Sequence, residues 1–122
     1  MSTHHELNHL LAAKSDQAVA LYHHLIAKFN EIGPVEIHPA KTMMVISNGK
    51  KRIAWVMQLG KNFVHVVFPF RQAYSDNLCF QKIAQVPGDE QYNHHFRMLS
   101  TGDVNDEVMR FMRIAYNEES DL

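Results

Sequence analysis

Asn93, His95 and Arg97, set at two-residue spacing, carry the chemistry most worth following in this chain. Side chains alternate along an extended strand, so these three share one face while Tyr92, His94, Phe96 and Met98 share the other. An amide, an imidazole and a guanidinium on one face are donors suited to a carboxylate or a phosphate, the arginine fork most of all. Two further residues join the set if the fold brings them in. One is His65, on an earlier alternating segment, and the other is Lys41, which follows His38-Pro39-Ala40. The competing reading is a wet face of an antiparallel sheet, where polar groups need no partner.

Histidine is abundant, nine in 122 residues, and includes the adjacent pairs His4-His5, His23-His24 and His94-His95. The run His5-Glu6-Leu7-Asn8-His9 has the spacing of a zinc-hydrolase helix, in which two histidines one turn apart hold the metal and the glutamate activates water. Such a site also needs a third ligand and a helix buried in a sizeable domain, and nothing singles out Glu31 or His38 for that role. A polar helix face in a histidine-rich chain accounts for the run equally well. The expectation is therefore no metal and no cofactor. A small metal-dependent hydrolase built on His5, Glu6 and His9, or on His94 and His95, stands as the alternative. His23 and His24 project about 100° apart on a helix and suit solvent-edge positions.

With 46% hydrophobic and 20% charged residues over 122 positions, the chain is composed for one folded domain with its own core. A net charge of −1 supplies no global field toward nucleic acid or anionic membrane. Lys50, Lys51, Arg52, Lys61 and Arg71 fall at expected hairpin ends, which leaves an accessory nucleic-acid contact as a further reading. The single Cys79 excludes an internal disulfide and a cysteine zinc site. Between Leu78 and Phe80 it suits a buried, inert thiol. No apolar stretch approaches the ~20 residues of a membrane span. The start lacks an apolar leader, and with the cysteine usage this gives a cytoplasmic expectation. Neither a glycine-rich phosphate loop nor a serine or cysteine nucleophile constellation is present.

The elements that must position these groups follow from periodicity and punctuation. Residues 3–13 form a short helix with Leu7, Leu10 and Leu11 as a narrow stripe. Ser15 is an N-cap, and a helix over 15–32 carries Val19, Tyr22, Ile26 and Phe29, widened by Leu21, Leu25 and Ile32, before Gly33-Pro34 stops it. Strands follow over 42–47, 51–59, 62–68, 78–86 and 91–98. Their punctuation is Asn48-Gly49 as a two-residue hairpin turn, Gly60-Lys61, a loop from Pro69 to Asn77, and Pro87-Gly88-Asp89. In the second strand Ile53, Trp55, Met57 and Leu59 oppose Ala54, Val56 and Gln58. A last helix, N-capped at Asp103, runs over 103–117 with Val104, Val108, Phe111, Met112 and Ala115 as its buried stripe. Helices, then hairpin-linked strands, then a helix make an α+β single domain with an antiparallel sheet. Residues 1–14 are a helical extension, 15–118 the domain, and 119–122 a frayed tail.

Three blocks of this sequence resemble a known family. They are Ala20-Leu21-Tyr22 through Ile32-Gly33-Pro34 and Pro39-Ala40-Lys41-Thr42, the strands from Arg52 to Phe68, and His94-His95-Phe96-Arg97-Met98-Leu99-Ser100 followed by Val104-Asn105-Asp106-Glu107-Val108 and Ile114-Ala115-Tyr116. Together they resemble the bacterial domain of unknown function 5655. The resemblance implies a compact α+β domain, standing alone or appended to larger proteins, including ones linked to nucleic-acid processing. It carries over no catalytic residues.

The reading that results is a non-enzymatic cytosolic binding module that contacts a small anion or a protein partner through a semi-polar sheet face. Trp55, Met57, Phe63 and Val67 make a second apolar surface, from which a homodimer is expected.

Overall fold

Ser15 opens the first long helix as the sequence requires. Its hydroxyl oxygen accepts the Ala18 amide at 3.0 Å and its hydroxyl donates to the Lys61 carbonyl at 2.6 Å, tying the helix start to a distant turn. The protein is described here by a computed structural model, which covers the backbone of residues 3–117 and side chains from Leu7 onward. The order is α1 (Thr3–Ala12), α2 (Asp16–Ile32), β1 (Glu36–Ala40), β2 (Met43–Ser47), β3 (Arg52–Leu59), β4 (Val64–Phe70), β5 (Lys82–Gln85), β6 (Tyr92–Met98) and α3 (Asp106–Asn117). His5, Glu6 and the tail 119–122 lie outside the residues whose side chains are described.

All strand pairs are antiparallel, and the six-stranded sheet runs β1-β2-β3-β4-β6-β5. The architecture is the expected α+β single domain. One sheet face carries Met44, Ile46, Val56, Val64, Val66, Phe68, Phe70, Phe96 and Met98 into the core. Helices α2 and α3 close that face with Ala18, Leu21, Leu25 and Phe29 from the first, and Val108, Phe111, Met112 and Ala115 from the second. The α3 stripe is the expected one. In α2 the stripe turns by about one residue, leaving Val19 and Ile26 only half-buried. Leu7, Leu10 and Leu11 of α1 pack against the edge of the same core.

Several expected boundaries shift for identifiable reasons. Residues 36–40 are a strand of their own. Pro39, paired with Met44, is tolerated there because β1 is an edge strand and needs no N–H on its outer side. Lys41 consequently sits in the β1–β2 turn with φ 56, not at a strand start. Pro69 and Phe70 also belong to β4 and not to a loop. Past Val67 the strand no longer pairs with β3, so a residue without an N–H costs nothing on that side. The β2–β3 turn is centred one residue late, on Gly49-Lys50. Gly49 takes φ 90, the Asn48 amide donates to the Lys51 carbonyl at 3.1 Å, and Asn48 Oδ1 accepts the amides of Lys50 and Lys51. The last long helix starts at Asp106 with Asn105 as its cap, its Oδ1 accepting the Val108 amide at 3.0 Å. Asp103 instead accepts the amides of Leu99 and Ser100, closing a separate 3-10 turn over Thr101–Asp103. Residues 78–81 are loop, and β5 begins at Lys82.

The alternation expected in β3 is broken twice. Register slips beside Ile53 and at Met57, one extra residue each, so Ile53, Ala54, Val56 and Leu59 all reach the core while Trp55, Met57 and Gln58 do not. A bulge puts two successive side chains on one side, which no periodicity argument anticipates. Among the residues expected to form a second apolar surface, Val67 is 1% exposed and Phe63 lies under Arg97. Trp55 and Met57 remain as the surface on which the homodimer expectation rests.

Candidate functional site

Residues directly opposite across paired strands share a face. On the face turned away from α2 and α3, one row therefore runs Val45, Trp55, Val67, His95 and Lys82 across β2 to β5. The next row holds Gln58, His65 and Arg97. The sequence placed Asn93, His95 and Arg97 together on this side of β6, and they are. His65 joins them through the β4–β6 register, in which His65 faces Arg97 and Val67 faces His95.

His65 and His95 make direct contact, His65 Nε2 to His95 Nδ1 at 2.8 Å. One ring must donate and the other accept, so the pair holds at most one extra proton without setting N–H against N–H. Both rings are pushed below the usual histidine range. For His65 the cause is burial, then the Arg97 and Lys82 charges; for His95 it is burial, then His65, Lys82 and His94. Arg97 is exposed and lies 4.2 Å from the centroid of the Phe63 ring, a cation–π contact that fixes the guanidinium over the sheet. Phe63 reaches that position by folding back over Gly60, where an added Cβ would run into the ring. Asn93 sits beside the cluster with its side-chain oxygen accepting from Gln91 at 2.9 Å.

Among the described residues, no carboxylate lies within ion-pairing distance of Lys82, Arg97, His65 or His95; the ion pairs are Lys28–Glu31, His38–Glu36 and Arg71–Asp89. The strands of this face contribute one acid, Glu36, and it is engaged with His38 at 3.3 Å at the far edge. The result is a patch of donors with no anion of its own among the described residues.

Lys41 sits in the β1–β2 turn, next to β2 and two strands from His65 in the sheet order. Lys82 was missed, because the Pro87-Gly88-Asp89 turn links β5 to β6 without fixing the register that sets Lys82 opposite His95. The role of Phe63 was missed for the same reason, since its partner is far away in the chain.

The metal alternatives fare differently. His94 and His95 point to opposite faces and cannot hold one ion. His94 is 0% exposed, with Nε2 accepting the Tyr74 amide at 3.1 Å and Nδ1 donating to the Tyr92 carbonyl at 2.8 Å, so both nitrogens are committed. His9 is exposed, and among the described residues no three His, Cys, Asp or Glu side chains gather as a metal site would require. The basic residues considered for nucleic acid are split. Lys50, Lys51 and Arg52 lie at one end of the sheet and Lys61 at the other, while Arg71 faces Asp89 at 3.9 Å. No helix among the described residues is long and apolar enough to cross a membrane.

The sequence model of a family described as a domain of unknown function (DUF5655) matches residues 8–119. No curated protein and no solved structure matches the chain. The match begins inside α1, so His9 falls within it and His5 and Glu6 do not.

Proposed function

This chain belongs to the DUF5655 family, and we propose that it is a non-enzymatic binding module whose open sheet face holds an anionic group of a small ligand. Arg97 and Lys82 supply fixed charge, the His65–His95 pair supplies a donor and one titratable proton, and Asn93 borders the site. The observation that carries this reading is the concentration of these groups on one face with no carboxylate of the described residues in ion-pairing reach. Exposed cations usually find an acid or bulk water; here two of them flank a half-buried imidazole pair, where their repulsion disfavours protonation. An anion lying between them reverses that sign, because opposite charge favours the protonated ring. Binding therefore takes up a proton and tightens as pH falls from about 7.5 toward the lowered free-state range below ~6.5.

The test is a thermal-shift titration with inorganic phosphate, acetate and sulfate at pH 7.5 and 6.0, on the parent and on His95→Ala with Arg97→Ala. A ligand that prefers the folded state raises its stability. The proposal expects a larger shift at the lower pH, lost in the double variant. Equal shifts in parent and double variant would reject it.

A further inference from the structure

Beside the histidine pair the sheet opens. Pairing between β2 and β3 ends at Met44–Val56, although β3 runs on to Leu59. The bulge at Met57 falls in this unpaired stretch and turns both Met57 and Gln58 outward. The gap forms a cleft of about 410 Å³ between α1 and the ends of β2 and β3. That is within the ~300–1,000 Å³ usual for small-molecule sites.

The lining divides by chemistry. Leu10, Met44, Val56, Met57 and Leu59 make an apolar wall, whereas Lys14, Thr42, Gln58 and His65 bring polar groups. None of the described lining residues is acidic. His65 belongs both to this cleft and to the anion patch, since it touches His95 and faces Arg97 across the β4–β6 ladder. The cleft and the patch are thus one continuous surface with an apolar recess at one end and cations at its mouth.

We propose that the cleft takes the apolar body of a small organic carboxylate whose head group lies at His65, where the cleft meets the Arg97 patch, an assignment that rests on the anion reading above and names its ligand class. The unpaired β3 edge adds backbone hydrogen-bonding groups along residues 57–59, which suit a carboxylate oxygen or a water bridging to it.

The experiment is an NMR titration of the full chain with linear monocarboxylates from acetate to octanoate, with inorganic phosphate and octanamide as comparators. Burying a methylene is worth roughly a three- to fourfold gain in affinity. The expected result is that gain at each added carbon, with shifts at Leu10, Met57 and Leu59. Met57→Glu alters a side chain 39% exposed and so leaves the fold intact, while placing a negative charge in the cleft. Met57→Glu, and separately Leu10→Gln, should bring octanoate back to the affinity of acetate. Octanoate no tighter than acetate, or octanamide as tight as octanoate, overturns the assignment. If phosphate and acetate still perturb His65 and His95 in that case, only the cleft assignment fails. If they do not, the anion reading fails with it.

Discussion

Replacing His94 by phenylalanine separates the two things this ring does in the core. It fills space among Phe70 and Phe80, each with ring centroid 4.9 Å away. It also accepts the Tyr74 amide at 3.1 Å and donates to the Tyr92 carbonyl at 2.8 Å. Phenylalanine keeps the packing and deletes both bonds. Each buried polar group left without a partner costs about 1–3 kcal/mol. Tyr74 is only half-buried and its amide can regain water, so His94→Phe should lose about 2–4 kcal/mol in total. The pattern also fixes the neutral tautomer, because Nε2 must stay unprotonated to accept. Burial holds the His94 pKa below its ordinary value of 6.5. The unfolded chain then takes a proton that the folded chain refuses, so the His94 contribution is present above ~6.5 and declines as pH falls below it. The limiting slope is about 1.4 kcal/mol per pH unit. Urea unfolding of the parent and His94→Phe from pH 7.5 to 5.0 measures this directly. The gap between the two proteins should be widest at pH 7.5 and narrow steadily below 6.5. A gap under ~0.5 kcal/mol at pH 7.5, within the range of an uninvolved surface site, would mean that the two His94 hydrogen bonds do not stabilise the fold. A gap that widens with acid would refute the neutral state of the ring.

Ser15→Ala removes the α2 cap and the tie to Lys61, and urea unfolding should read a loss of about 1–2 kcal/mol. At Gly33 the backbone is extended, but an added Cβ would run into the Tyr116 ring, whose hydroxyl donates to the Pro34 carbonyl at 2.9 Å. Gly33→Ala should therefore cost about 1–3 kcal/mol by overpacking, with Tyr116→Phe, which keeps the ring, failing to relieve it. Burial and the neighbouring Glu107 charge push the Cys79 thiol from 9.0 to about 11. Its alkylation at pH 7.5 should run about a hundredfold slower than that of a thiol at the ordinary value, and labelling at the free-thiol rate would contradict that placement.

The α+β order was legible because α2 and α3 carry continuous stripes, α2 with a strong start signal at Ser15, and because β4 and β6 alternate cleanly enough to fix their faces. Asn93, His95 and Arg97 could be assigned to one side from the period of two alone. Contacts that depend on register could not be read. The meeting of His65 with His95, the approach of Lys82 and the seat of Arg97 on Phe63 all require knowing that β6 lies between β4 and β5. The bulges in β3 defeated the alternation at Ile53 and Met57, since an inserted residue leaves no compositional mark. β1 was hidden by Pro39, which argues against a strand unless the strand is known to be an edge. With β1 unseen, Lys41 reads as a strand-start residue, whereas it sits in the β1–β2 turn.

On the proposed function, the open sheet face binds an anion through Arg97 and the histidine pair, with a proton taken up. Imidazole NMR titration of His65 and His95, with and without tens of millimolar inorganic phosphate, tests it most directly. Both rings should titrate below the ordinary range in the free protein. Phosphate should move at least one midpoint upward, and Arg97→Ala should abolish that movement. Superimposable titration curves with and without phosphate, in a protein whose His65–His95 contact is intact, would contradict it.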